Sequence, residues 1–238
     1  MSKEFSQDEL LVINKFENLN QKLKNLKIAT DIDGVEINSA ESALDLLNQD
    51  HGKSYKINDL IEYMSTIDFI KRDLKHIEDP VAYAMELWNS DRNLSASHPV
   101  SGSLILSSYL HSNGIDRIHR ITSRPSFTKN ATFDWYKNKM PWVDPGLIHI
   151  QEGGMEINHN FKVDQINKLE INLFFEDSWE HAEAISKKTK ATVILVPQPW
   201  NYNYLPKIGS RIIKIPRHRY QALPKMIQVY SCLSDIIV

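Results

Sequence analysis

Two aspartates separated by one residue follow a short apolar segment near the start of the chain. The stretch 27–35 reads Lys-Ile-Ala-Thr-Asp-Ile-Asp-Gly-Val, which places Asp31 and Asp33 after the apolar residues and Gly34 after the acids. An apolar run that ends in acids and glycine is typical of a buried strand. Such a strand delivers its side chains to the carboxyl edge of a sheet, where open α/β folds bind ligands. We therefore expect Asp31 and Asp33 to lie at the mouth of an active site.

Two further predicted strands also end in reactive polar residues. Thr122 and Ser123 follow one of them, and Glu176 and Asp177 follow the other. In a parallel sheet the carboxyl ends of the strands share one edge, so these side chains should converge there. Carboxylates from two strands make an oxygen-rich pocket suited to Mg²⁺. A threonine hydroxyl and a nearby lysine would complete a site for a phosphoryl group.

The elements that must position these residues follow from the periodicity of the apolar side chains. We predict strands at 27–31, 115–122, 147–150, 171–175, 191–196 and 211–215. We predict helices at 7–24, 39–47, 57–64, 80–88, 102–111, 129–139, 161–169, 180–188 and 221–233. Alternation of this kind favours an α/β fold, with a Rossmann-like three-layer core built on a mostly parallel sheet.

The segment 36–98 contains no convincing strand and interrupts this alternation. Its size suits a small helical subdomain inserted after the first strand. We therefore predict two domains, an α/β core made of 1–35 and 99–238 and a helical cap made of 36–98. The length of 238 residues is sufficient for such a core with one sizeable insertion.

Composition narrows the classes of function. The hydrophobic fraction of 42% and the charged fraction of 24% are ordinary for a soluble globular protein. A net charge of −2 gives no electrostatic case for a nucleic-acid polymer or an anionic membrane as partner. The single cysteine, Cys232, excludes an intramolecular disulfide and fits a reducing compartment. The first ten residues lack the apolar core of a signal peptide, so we expect a cytoplasmic protein, either monomeric or homo-oligomeric.

Four short motifs resemble those of the haloacid dehalogenase-like phosphohydrolase superfamily. Residues 31–35, Asp-Ile-Asp-Gly-Val, resemble its first motif, and residues 121–125, Ile-Thr-Ser-Arg-Pro, resemble its second. Residues 174–178, Phe-Phe-Glu-Asp-Ser, resemble the fourth. The third motif is a lone lysine, for which Lys162 has the best spacing, with Lys168 and Lys129 as alternatives. The four motifs occur in the family's order, which makes an accidental pair of turn aspartates at 31 and 33 a poor explanation.

The resemblance implies a reaction and assigns roles. Asp31 would be the nucleophile that forms an aspartyl-phosphate, and Asp33 would be the general acid and base. Mg²⁺ would be held by the Asp31 carboxylate, the Asp33 backbone carbonyl and Asp177. The transferring phosphoryl oxygens would be bound by Lys162 and by Thr122 or its neighbour Ser123. An aspartate at position 33 is similar to the phosphatase and mutase branch.

Two residues beside the motifs keep open roles. Glu176 stands where the family more often has aspartate, and it could act behind the metal ligands or on the substrate. Arg124 could contact the substrate phosphate or cap neighbouring carbonyl groups of the protein.

Further segments resemble the 5′(3′)-deoxyribonucleotidase-like branch of the superfamily. They are residues 99–103 and 122–125, Thr132 with Trp135, and residues 196–201. The implied partner is a small phosphorylated metabolite, with a nucleoside 5′-monophosphate favoured. A sugar phosphate or another metabolite is the alternative substrate. A catalytically silent phosphate-binding regulator with the same fold is the alternative from another class.

Overall fold

The computed structural model describes residues 17–62, 65–153, 160–215 and 225–237. Within these ranges six strands form a single sheet in the order β3-β2-β1-β4-β5-β6. Every neighbouring pair of strands is parallel. The strands are β1 (Ile28–Thr30), β2 (Ile118–Thr122), β3 (Ile148–Ile150), β4 (Leu173–Glu176), β5 (Thr192–Leu195) and β6 (Ile212–Lys214). The predicted α/β fold with a parallel sheet is confirmed.

Ten α-helices accompany the sheet in the described part of the chain. The first is α1 at 17–24. The others are α2 (Ser39–His51), α3 (Ser65–Asp73), α4 (Pro80–Asn89), α5 (Asp91–Ala96), α6 (Ser103–Ser112), α7 (Lys129–Lys139), α8 (Phe161–Leu169), α9 (Trp179–Lys188) and α10 (Lys225–Ile237). The residues predicted to begin the first helix, 7–16, lie outside the described ranges, as do residues 221–224 of the last predicted helix.

Alternate residues of the central strands enter two separate apolar cores. Leu173 of β4 and Ile194 of β5 belong to a core that also contains side chains of α1, α6 and α10. Phe174 and Val193, their neighbours along the same strands, belong to a core with α8 and α9. Because successive side chains of a strand point to opposite faces, the sheet is covered by helices on both sides. This gives the three layers of a Rossmann-like core.

The helices between β1 and α6 have an apolar cluster of their own. Leu47 of α2, Ile70 of α3 and Leu87 of α4 pack together in it. Helix α4 begins where the sequence predicts, because Asp79 accepts hydrogen bonds from the backbone N–H groups of Val81 and Ala82. The helix predicted at 57–64 is wrong over residues 57–62, and its last two residues lie outside the described ranges. A single 3₁₀ turn, Ile57–Asp59, occupies its start, and the next described helix is α3.

The chain leaves the sheet for this helical segment at a buried ionic network. The Glu36 carboxylate lies 3.1 Å from Nη2 of Arg120 on β2, and it also accepts the Tyr136 hydroxyl from α7. The returning chain is fixed at the same point, since the backbone N–H of Val100 donates to the Glu36 carbonyl at 2.9 Å. Both ends of the segment 36–98 are therefore anchored beside β1 and β2.

Among the described residues, no helix has the length and apolar character required to cross a bilayer.

Candidate active site

The sheet register explains why the predicted site residues meet. Thr30 pairs with Arg120 on one side of β1 and with Phe175 on the other. The next residue on the central strand is therefore Asp31, level with the end of β4, and its backbone N–H donates to the Phe175 carbonyl at 2.8 Å. In the strand order 3-2-1-4-5-6 the crevice between β1 and β4 lies where the connections reverse direction, and open α/β sheets bind ligands there.

Lys162 of α8 is the cation at the centre of this crevice. Its Nζ lies 2.7 Å from Oδ2 of Asp31 and 2.9 Å from Oε2 of Glu176, and all three side chains are almost fully buried. Burial would lower the pKa of Lys162, but the two carboxylates raise it above its ordinary value. The alternative lysines, Lys129 and Lys168, have exposed side chains. The structure thus brings Lys162, and neither alternative, into contact with Asp31.

Asp177 adds a third carboxylate to the same crevice. Asp31, Glu176 and Asp177 each offer an oxygen within 4.8 Å of the others, and all three residues are buried. Burial raises the pKa of Asp177 well above its ordinary value, and the charges of Glu176 and Asp31 raise it further. Burial likewise raises the pKa of Asp31, with Lys162 opposing the shift. One ammonium facing three carboxylates leaves an excess of negative charge, which fits a site for a divalent cation.

Glu176 is already occupied by contacts within the protein. One oxygen accepts from Lys162, and the other accepts from the backbone N–H groups of Asp177 at 3.1 Å and Ser178 at 3.0 Å. Burial would raise its pKa, but Lys162 and then His181 bring it below the ordinary value. Asp31 and Asp177 are therefore the side chains available to hold a cation such as Mg²⁺, with hard oxygen donors that suit it. Glu176 positions Lys162 and the turn after β4.

Asp33 lies beside this group and is held by two other side chains. Nε of Arg124 donates to Oδ2 of Asp33 at 2.8 Å, and Nη2 donates to Oδ1. Ser39, at the start of α2, donates its hydroxyl to Oδ1 at 2.5 Å. Burial would raise the pKa of Asp33, but the Arg124 guanidinium lowers it more, so the carboxyl pKa lies below its ordinary value. The anionic partner of Arg124 in the structure is therefore the Asp33 side chain.

The second motif contributes a buried hydroxyl. Thr122 is the last residue of β2 and is 1% exposed, and its Oγ1 accepts the backbone N–H of Arg124 at 3.2 Å. Ser123, the next residue, is partly exposed. The described contacts place both residues at the carboxyl edge but do not choose between them as the group that binds a phosphoryl oxygen.

Sequence reasoning missed the loop after β5, whose side chains bind backbone carbonyls of the site residues. Trp200 and Asn201, after β5, both donate to the Asp177 backbone carbonyl, at 3.2 and 2.7 Å. Gln198 donates to the Gly34 carbonyl and accepts from Lys225 of α10 at 2.8 Å. The sequence signal was the segment 196–201, which carried a family resemblance but no assigned role.

No family model matches the chain. The Bacillus subtilis (strain 168) protein named "Putative nucleotidase YqfW" is 28% identical over 197 residues, which is 80% of this chain and 88% of that protein.

Two solved structures share the fold of this chain. A structure described as a predicted phosphatase from Clostridium acetobutylicum superposes with a TM-score of 0.54 at 14% identity, covering 88% of this chain and 98% of that one. A structure described as "the putative HAD-hydrolase YfnB from Bacillus subtilis bound to magnesium" superposes with a TM-score of 0.50 at 14% identity, covering 87% of this chain and 98% of that one.

These likenesses and the sheet topology show the fold. The chain has the fold of the haloacid dehalogenase-like superfamily, and the predicted resemblance is confirmed in the fold.

Proposed function

We propose that this protein is a Mg²⁺-dependent phosphatase that hydrolyses a small phosphomonoester through an aspartyl-phosphate. The observation that carries the proposal is the buried contact between Lys162 and Asp31 at the switch point of the sheet, with Asp33 and Asp177 beside it. A carboxylate nucleophile, a second carboxyl for proton transfer and a fixed ammonium are the groups that phosphoryl transfer through a covalent intermediate requires.

The proposed reaction has two balanced steps. In the first, a carboxylate oxygen of Asp31 forms a bond to phosphorus while the bond from phosphorus to the ester oxygen breaks, and Asp33 gives a proton to the departing alkoxide. Asp33 must carry that proton when the step begins, so its carboxyl has to exchange a contact with Arg124, which holds its pKa low, before the reaction. In the second, water attacks the aspartyl-phosphate and Asp33 takes the proton of that water. The products are the alcohol, inorganic phosphate and the restored Asp31 carboxylate.

The remaining residues bind charge rather than move protons. Lys162 neutralises the phosphoryl oxygens and the nucleophile, and Thr122 or Ser123 donates a hydroxyl to the same group. Mg²⁺ held by Asp31, Asp177 and the Asp33 carbonyl would reduce the repulsion between the anionic ester and the attacking carboxylate. Support for this ion comes from the excess carboxylate charge around Lys162 and from the magnesium in the YfnB structure.

A nucleoside 5′-monophosphate is the favoured substrate. Support comes from the segments that resemble the deoxyribonucleotidase-like branch and from the name of the relative YqfW. A sugar phosphate or another phosphorylated metabolite is the alternative. A silent phosphate-binding regulator is disfavoured, because binding alone would not require a second carboxyl at position 33.

We also propose that residues 36–98 act as a cap over the site. Two contacts support this role: the Ser39 hydroxyl reaches Asp33, and Trp200 of the core packs against Leu60 and Phe69 of the helical segment. A cap that meets the core at the general acid can exclude water from the first step and select the leaving alcohol.

Phosphate release from a panel of phosphomonoesters tests the proposal. The panel contains nucleoside monophosphates and sugar phosphates, and each ester is assayed with Mg²⁺ and with a chelator in excess. Asp31→Asn should abolish turnover while the unfolding transition is retained. Asp50→Asn is the matched control, because Asp50 pairs with Arg92 on the helical segment and should be dispensable. Metal-dependent release that persists in Asp31→Asn would overturn the assignment of the nucleophile.

A further inference from the structure

Arg124 is held on one side only. Two of its nitrogens, Nε and Nη2, donate to the two carboxylate oxygens of Asp33, and Ser39 donates to one of the same oxygens. The Arg124 side chain is only 4% exposed. Both oxygens of Asp33 are thus taken by protein donors, and Asp33 can approach an ester oxygen only by exchanging one of these contacts.

The third nitrogen of the guanidinium, Nη1 of Arg124, is buried and has no hydrogen-bond partner among the described residues. Buried N–H groups that lack an acceptor are costly, and charged ones more so. Arg120, which is equally buried, is different: its Nη1 donates to the Ile118 carbonyl at 2.6 Å, and its other nitrogens reach Glu36. An arginine with an orphaned nitrogen beside the general acid points to an acceptor that arrives with a ligand.

We propose that Nη1 of Arg124 binds an oxygen of the leaving alcohol. The substrate class is a phosphomonoester whose alcohol carries an oxygen acceptor near the ester oxygen, either a sugar oxygen or a carboxylate. Asp33 must face the ester oxygen to protonate it, so an arginine bonded to Asp33 lies on the side of the alcohol, whereas Lys162 and Thr122 lie on the side of the phosphoryl group. The inference rests on the proposed function and extends it from reaction to substrate recognition.

This contact would make the reaction selective for the alcohol. When Asp33 turns from the guanidinium to the ester oxygen, Arg124 loses an acceptor in a buried position. A substrate oxygen at Nη1 offsets that loss, whereas a plain alkyl alcohol leaves a buried cation poorly paired. Selection would therefore arise from the penalty on alcohols that lack the acceptor as much as from the contact itself.

Three esters of primary alcohols provide the test, because their need for a proton from Asp33 is alike. Propyl phosphate lacks the acceptor, 2-deoxyribose 5-phosphate offers sugar oxygens, and 3-(phosphonooxy)propanoate offers a carboxylate without a hydroxyl. We measure kcat and KM with Mg²⁺ for wild type, Arg124→Gln and Arg124→Lys. Arg92→Gln is the matched control, since Arg92 also forms a bidentate pair, with Asp50, but at an exposed position.

Arg124→Gln should lower kcat/KM for at least one acceptor-bearing ester by about tenfold to hundredfold more than for propyl phosphate. The loss of kcat/KM in Arg124→Lys should be intermediate between wild type and Arg124→Gln. Arg92→Gln should have the wild-type kcat/KM for all three esters. The ester whose kcat/KM falls most in Arg124→Gln shows whether the acceptor is a sugar oxygen or a carboxylate. An equal loss for all three esters would overturn the inference, because Arg124 would then act only by positioning Asp33.

Binding measurements separate this inference from the proposed function. If wild type releases phosphate from none of the three esters, calorimetry is performed on Asp31→Asn, with and without Arg124→Gln. Tighter binding of an acceptor-bearing ester than of propyl phosphate, lost with Arg124→Gln, would support the contact even though the phosphatase proposal had failed. Equal binding of the three esters would overturn it. Urea unfolding of each variant verifies the fold, and Arg124→Lys replaces Arg124→Gln if the latter is unfolded.

Discussion

Nζ of Lys162 lies 2.7 Å from Oδ2 of Asp31, and both side chains are nearly inaccessible to solvent. Lys162→Met would leave the carboxylates of Asp31 and Glu176 buried without their cation. Removing one partner of a buried ion pair costs about 3–5 kcal/mol. We therefore expect the free energy of unfolding, measured in urea without Mg²⁺, to fall by about 3 kcal/mol, together with loss of turnover.

The control for this variant is Lys187→Met. Lys187 pairs with Glu183 on the same face of α9, but its side chain is 61% exposed. Such surface pairs contribute about 0.3–0.5 kcal/mol. If the free energy of unfolding fell by the same small amount in both methionine variants, the buried pair would not make the stability contribution assigned to it.

Alanine substitutions at Gly34 and Gly52 distinguish the cost of backbone strain from the cost of a steric clash at the site. Both have positive φ, +68° and +61°, but a Cβ at Gly34 would lie 2.1 Å from Oδ2 of Asp177, whereas one at Gly52 meets nothing within 4 Å. Gly52→Ala should cost about 1–2 kcal/mol in the free energy of unfolding. Gly34→Ala should cost more and should also weaken the stabilisation by Mg²⁺, because Asp177 must move. An unchanged Mg²⁺ response in Gly34→Ala would contradict the assignment of Asp177 as a metal ligand.

Asp177→Asn should have opposite effects with and without metal. Without Mg²⁺ the variant should be as stable as wild type or more stable, since it removes one of three carboxylates facing a single ammonium. With Mg²⁺ it should lose most of the metal-dependent increase in the unfolding midpoint, which follows the affinity of the folded state. Asp45→Asn, at an exposed position on α2, should respond to Mg²⁺ as wild type does. A wild-type response in Asp177→Asn would remove Asp177 from the site.

Trp200 has a polar and an apolar role that two substitutions can separate. Its Nε1 donates to the Asp177 carbonyl at 3.2 Å, and its ring packs in the cluster with Leu60 and Phe69. Trp200→Phe keeps an aromatic ring and should cost about 1 kcal/mol, with a higher Mg²⁺ requirement. Trp200→Ala should cost about 3–5 kcal/mol through the cavity it creates. Equal Mg²⁺ requirements for wild type and Trp200→Phe would limit the role of Trp200 to packing.

The local sequence pattern predicted the strands and helices better than it predicted the contacts within the site. The six strands were found because buried parallel strands form short apolar runs, as in β5, and the observed strands lie within or beside the predicted ranges. The helix at 57–64 failed because apolar residues at 57, 60 and 61 also suit a 3₁₀ turn. Leu60 packs into the cluster with Trp200, while Ile61 is 72% exposed.

The site residues differ in the same way: those at strand ends could be grouped from sequence, and those whose position depends on a loop could not. Residues at strand ends converge because the sheet is parallel, so Asp31 and Asp177 could be grouped from sequence. The pair between Asp33 and Arg124 spans 91 positions and depends on how the loop after β2 turns back toward β1. Ser39 gave no signal, because a serine at the start of a helix is common without any role in a site.

A pair of histidines on neighbouring strands predicts how stability depends on pH. Nδ1 of His119 on β2 lies 2.9 Å from Nε2 of His149 on β3. Burial lowers the pKa of both rings below the ordinary value, and the nearby positive charges, including Lys168 beside His149, lower it further. Below the ordinary histidine pKa the unfolded chain therefore binds more protons at these two residues than the folded one, and their contribution to stability is lost as pH falls.

We expect the histidine pair to lower the free energy of unfolding between pH 7 and pH 5, whereas the raised pKa values of Asp31 and Asp177 act in the opposite direction in wild type and variant alike. The slope of stability against pH should therefore change in His149→Gln, toward a smaller loss or a larger gain at low pH, because this variant removes one titrating ring and relieves the other of its neighbour. His111→Gln, at an exposed position near the end of α6, is the control and should keep the wild-type slope. The measurement is the urea midpoint at half-unit pH intervals. A pH dependence in His149→Gln identical to that of wild type would mean that the histidine pair does not contribute to the acid sensitivity of the fold.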